Sequence, residues 1–188
     1  DALALKADKA TVGNLLTENV ASGTDALGTT AGFALWAGGV LSSSPGTGIN
    51  GTRSLRVTSN GSTAQVPWIG PENPGGATWK MRKGYPVTMT VKGKASAAVS
   101  LTHAFQPHDG SGTFLGGYSE TTTQVTIDAS GYVEQTWTFT PKQDGYFRIV
   151  SYVTGGTSGD TFDLDEFGLW YGAAGRWAMP GIPVLGLS

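Results

Sequence analysis

From Tyr132 to Leu169 the sequence changes character every second residue, in three short runs cut apart by turn residues. In the first run Trp137 and Phe139 fall on one face, and Thr136, Thr138 and Thr140 on the other. Asp144–Gly145 closes the next loop, after which Phe147 and Ile149 alternate with Arg148 and Val150. Gly155–Gly156 and Gly159–Asp160 bracket a second break. In the third run Phe162 and Leu164 stand opposite Asp163 and Asp165. A strand turns successive side chains to opposite faces, so this pattern describes strands with one apolar and one polar side. Short strands punctuated this often build a sandwich or a barrel.

The rest of the chain repeats the pattern. Val87, Met89 and Val91 alternate with Thr88, Thr90 and Lys92 in a strand expected over 87–94. In a strand expected over 97–106, Val99, Leu101, His103 and Phe105 face the core by parity, and Thr102, Ala104 and Gln106 face away. A Thr-rich strand is expected from Glu120 to Ile127. Upstream, a first strand is expected at Asn14–Thr17. Another at Phe33–Leu41 carries Phe33 and Leu35 on one face and Trp36 on the other, weakened by Gly38–Gly39. Asn50–Gly51 and Asn60–Gly61 read as hairpin-type turns flanking a strand over 52–58. Residues 66–82 form a long loop with three prolines around Trp68 and Trp79, which either plug the sandwich edge or rim a ligand site.

Composition narrows the function classes. Twenty-nine glycines in 188 residues and 14% charged residues agree with a turn-rich all-β domain, and the glycines lack the period of collagen. The length suits one domain with a sizeable core. A net charge of −2 without a basic cluster argues against nucleic acid as the main partner. With no cysteine, disulfide and thiolate chemistry are excluded. No apolar run reaches transmembrane length. The chain begins at Asp1 with neither Met nor a signal peptide, so a fragment of a longer protein is expected.

Three motifs invite a chemical reading. Gly46–Gly51 matches the spacing of a dinucleotide loop, but a serine-rich segment precedes it and a strand-like one follows, where a strand and a helix are required. His103 and His108 lack the third ligand that a metal site needs. Asp163 and Asp165 lie on one strand face, about 7 Å apart, whereas a glycosidase sets its carboxylates on opposite sides of the bond. No nucleophile and base are brought together, so no catalytic residue is nominated and no enzyme is expected.

The order of the strand motifs resembles the carbohydrate-binding modules of families four, nine and twenty-two. The resemblance rests on Asn14-Leu15-Leu16, Ser54-Leu55-Arg56-Val57, Lys83-Gly84-Tyr85-Pro86-Val87-Thr88-Met89-Thr90-Val91-Lys92, the Thr138-Phe139-Thr140-Pro141 strand end, Tyr146-Phe147-Arg148-Ile149, and Phe162-Asp163-Leu164-Asp165-Glu166-Phe167-Gly168-Leu169. It covers residues 14–171. It implies a jelly-roll β-sandwich that binds sugar chains along a concave sheet. It also implies a structural calcium held by Asp165 with a glutamate near the first strand. Glu18 is the glutamate available, although the Asn-x-Gly-Phe-Glu signature of those modules is absent. By parity the sugar face would carry Thr88, Thr90, Lys92, Gln106, Arg148 and Tyr152, with Trp68, Trp79 and Tyr118 at its rim.

Residues 1–13, DALALKADKATVG, have helix-forming composition and a stop at Gly13. They resemble the Ala-Leu-x-x-Lys-Ala-Asp stalk repeats of bacteriophage tail fibres, which implies a coiled-coil stalk and a homotrimer. The expected organisation is therefore a stalk end over 1–13, a jelly-roll domain over 14–171 and an apolar tail over 172–188. The expected function is a non-catalytic host-recognition domain of a phage tail, located in the virion and binding a cell-surface glycan. A trimerising fibre domain without ligand, or a carbohydrate-binding module of a secreted polysaccharide-degrading enzyme, are the other readings.

Overall fold

The computed structural model describes residues 16, 28–49, 52–73, 76 and 78–172. The expected stalk, the first strand except Leu16, residue Glu18, the Asn50–Gly51 turn and the tail beyond Gly172 lie outside them. The described residues contain no α-helix. They form eleven strands: β1 (Gly39–Ser44), β2 (Ser54–Asn60), β3 (Ala64–Pro67), β4 (Trp79–Met81), β5 (Val87–Ala95), β6 (Val99–His108), β7 (Glu120–Thr121), β8 (Val125–Ile127), β9 (Val133–Phe139), β10 (Gly145–Thr154) and β11 (Ser158–Tyr171).

The strands make two antiparallel sheets. One runs β1-β2-β11-β5-β9. The other runs β3-β10-β6-β7, with β4 continuing the β3 side against β10 and β8 the β7 side against β6. From β9 onward each strand crosses to the opposite sheet, and β4→β5→β6 does the same. This is a jelly-roll-type sandwich, in which neighbours in sequence face each other across the core. The Asn60–Gly61 turn is therefore not a hairpin: it carries the chain from β2 in one sheet to β3 in the other. The Phe33–Leu41 segment also differs from expectation. Phe33 and Ala37 only bridge to Trp68 and Gln65, and the regular strand starts at Gly39. A side chain at Gly39 would meet the Thr58 carbonyl 2.0 Å away and one at Gly38 the Ala64 backbone 2.2 Å away, so the glycine pair admits the close approach of β2 and β3. The Thr-rich segment is two short edge strands, broken where Thr122 turns its hydroxyl to the His103 amide.

Parity predicts the core well. Val99, Leu101, Phe105, Phe139, Phe147, Ile149, Phe162 and Leu164 all point between the sheets and are buried. Phe105, Phe139 and Phe147 form one ring cluster, and Phe33, Trp68 and Phe167 another, with tilted and edge-on contacts. Each such side chain contributes about 1.5–3 kcal/mol by leaving water. In β11 the alternation slips by one residue between Asp165 and Gly168. Glu166 takes the extra position with φ +47°. Its bulge is what lets both Leu164 and Phe167 face inward.

Candidate functional site

The outer face of the six-stranded sheet follows from the register. Phe147, Ile149 and Val153 point inward, so Tyr146, Arg148, Val150, Tyr152 and Thr154 of β10 point out. Opposite them on β6 stand His108, Gln106, Ala104, Thr102 and Ser100. Across the middle of this face the Gln106 amide donates to the Tyr152 hydroxyl at 3.3 Å. The two side chains lean together over Ala104 and Val150, which are small and lie buried beneath them. Arg148 sits beside Gln106 in the register. Its guanidinium lies 5.0 Å from the centre of the Trp36 ring and donates to the Gly76 carbonyl.

Two exposed aromatics border the face. Trp36 lies on the β3 edge, where its amide donates to the Gln65 carbonyl, and is 48% exposed. Tyr118 lies on the β7 edge in a single 3-10 turn, Gly116–Tyr118, and is 44% exposed. Phe114 packs on His108 with ring centres 5.6 Å apart. Burial, and then the neighbouring Arg148, lower the pKa of this buried imidazole. Planar rings at the borders with fixed amide, hydroxyl and guanidinium groups between them suit the apolar faces and hydroxyls of a sugar chain.

The structure thus brings Gln106, Arg148 and Tyr152 together, with Tyr118 at the border. It separates Thr88, Thr90 and Lys92, which point outward from the other sheet. Thr88 and Thr90 are buried and pair across the strands with Thr138 and Thr136 at 2.7 and 3.0 Å. Lys92 lies 2.6 Å from Glu166 and 3.7 Å from Glu134. Trp68 and Trp79 are core residues, not a rim. Trp68 is fully buried and donates from its indole to Ser151, and Trp79 stacks on Phe147. Trp36, Tyr146, His108 and Phe114 are the outward side chains that sequence reasoning left out of the site. The signal for Trp36 was present, since parity set it opposite Phe33 and Leu35.

Asp163 and Asp165 do share a face, as expected, and both are buried. Asp163 accepts from Arg56 through Nε at 2.9 Å and Nη2 at 2.8 Å, and from the Ser54 hydroxyl at 2.7 Å. This pairing raises the Arg56 pKa. Asp165 accepts the Ile49 amide on one oxygen and the Glu166 amide on the other, both at 2.8 Å. It thereby fastens the β1–β2 connection to the bulge of β11. No group of three or more His, Cys, Asp or Glu side chains gathers among the described residues, and Glu18, the expected partner of Asp165, lies outside them.

No protein-family model and no curated protein matches the sequence. Solved structures are similar in fold. The xylan-binding domain CBM22-1 of Paenibacillus barcinonensis Xyn10C superposes with a TM-score of 0.60 at 18% identity, over 78% of this chain and 90% of that one. The CBM61 module TmCBM61, in complex with β-1,4-galactotriose, gives 0.58 at 13% identity, over 84% and 98%. The CBM22-1–GH10 portion of Clostridium thermocellum xylanase 10B, complexed with xylohexaose, gives 0.61 at 13% identity, over 88% of this chain but 30% of that one. At these identities the likeness establishes a shared jelly-roll sandwich.

Proposed function

We propose that this domain is a non-catalytic polysaccharide-binding module, and that the outer face of the six-stranded sheet takes the sugar chain. The observation that carries the reading is the row Trp36, Arg148, Gln106 and Tyr152: an exposed indole with the Arg148 guanidinium against it, then an amide and a hydroxyl bonded to each other. Several solved structures of the same fold are described as binding xylan or a galactotriose, which supports a glycan as partner. Affinity electrophoresis through gels containing soluble polysaccharides tests it. Retardation by at least one polymer, lost in Trp36→Ala, is the expected result.

A role in host recognition on a phage tail fibre is a finer proposal, supported by the stalk resemblance of residues 1–13. Trimerisation would combine weak single sites into useful avidity. Its test is the mass in solution by light scattering: a value near three times 19.4 kDa supports the fibre setting, and a monomer opposes it. A structural calcium at Asp165 is likewise supported by the resemblance alone. Identical melting in calcium and in chelator would remove it.

A further inference from the structure

The two outer faces of the sandwich differ in charge. That of the five-stranded sheet carries Glu134, Asp163, Asp165 and Glu166; Arg56 pairs with Asp163 and Lys92 with Glu134 and Glu166, and Lys94 stands beside Asp163 in the register. On the six-stranded sheet, the outward positions of β3, β6, β8 and β10 hold no carboxylate at all. Arg148 stands at the centre of that face and Lys80 at its end, beside Tyr146. Glu72 pairs with Lys80 at 3.8 Å and compensates the cation at that end. Asp109, just past β6, accepts from the Ser111 and Thr113 amides of its own loop. Glu120 sits opposite Phe105, with the inward parity of that residue. Among the described residues, the outward positions of β3, β6, β8 and β10 therefore present a strip with Arg148 as its cation and no carboxylate, in a chain with net charge −2.

Such a strip is costly for a neutral sugar. A cation at the centre of a binding face loses water when a ligand covers it, and a hydroxyl returns less than a carboxylate does. Arginine offers a planar fork of donors that matches a carboxylate. The Trp36 ring and the Gly76 carbonyl fix where this fork lies, so little entropy is left to lose. Resting on the glycan-binding reading, we infer that the polysaccharide this face takes is acidic, with uronate carboxylates anchored by Arg148.

The test uses matched polymers. Polygalacturonate, glucuronoxylan and alginate are each compared with their own carboxyl-reduced forms, together with neutral xylan and galactan, by affinity electrophoresis with the intact domain. The expected result is binding to at least one acidic polymer about tenfold tighter than to its reduced form, with the difference shrinking as salt is raised. Arg148→Gln, with its fold checked by thermal melting, shrinks the preference, and Arg148→Lys keeps part of it. Equal or tighter binding to the reduced or neutral polymers overturns the inference and leaves the glycan-binding reading in place. Absence of binding to every polymer overturns both.

Discussion

Trp36 and His103 show how one kind of observation, a side chain's exposure, separates binding from stability. Trp36 is an exposed indole whose packing partner is another surface group. Trp36→Ala is expected to weaken polysaccharide binding by about tenfold, for the loss of roughly 1–2 kcal/mol of stacking, while moving the melting temperature little. His103 is the reverse case. It is fully buried, its Nδ1 lies 2.9 Å from the Ser151 hydroxyl, and Trp68 donates to the same oxygen. Burial pushes its pKa down from 6.5 to about 3. The unfolded chain therefore takes up a proton that the folded chain refuses, and stability falls as the pH drops from about 6.5 toward 3. Thermal melts should show this slope, and His103→Gln should flatten it across the window between 6.5 and about 3, most near its middle. Asp163 gives the third residue-scale expectation. Arg56→Ala leaves a buried carboxylate without its cation and should cost about 3 kcal/mol in urea unfolding, more than an exposed pair would.

At the scale of elements, β11 does most to shape the molecule. It lies between β2 and β5, and its bulge changes which residues face inward. Two-residue alternation was legible as far as Asp165, and the bulge was not, because a one-residue insertion leaves no mark in composition. Gly168 belongs to the same device. A Cβ there would fall 2.2 Å from the Trp170 ring and 2.8 Å from the Thr90 methyl. Gly168→Ala should therefore destabilise by about 2 kcal/mol. Gly110→Ala, where a Cβ meets nothing within 4 Å, should stay within about 0.5 kcal/mol of the parent. Equal melting temperatures for the two variants would contradict the packing described for Trp170.

For the whole molecule, strand parity revealed which side chains enter the core but not which sheet each strand joins. Thr88 and Arg148 both point outward, yet from opposite sides of the sandwich. Pairings such as β2 with β11 and β6 with β10 link segments far apart in sequence, and local periodicity carries no information about them. The expected site consequently mixed two faces. It retained Gln106, Arg148 and Tyr152 because these three sit on paired strands. The tryptophans were misplaced for a related reason: Trp68 and Trp79 lie beside a proline-rich loop in sequence, but Trp79 opens the short edge strand β4 and Trp68 follows β3 in an isolated bridge to Phe33, and both are buried in the core. The central claim is that one outer face binds sugar. Polysaccharide affinity electrophoresis of the parent, Trp36→Ala and Lys94→Ala, all with native melting, tests it most directly, since Lys94 lies on the opposite face over Tyr132. Retardation of the parent and of Lys94→Ala, with loss in Trp36→Ala, is predicted. Unchanged retardation in Trp36→Ala, or loss in Lys94→Ala alone, would contradict it.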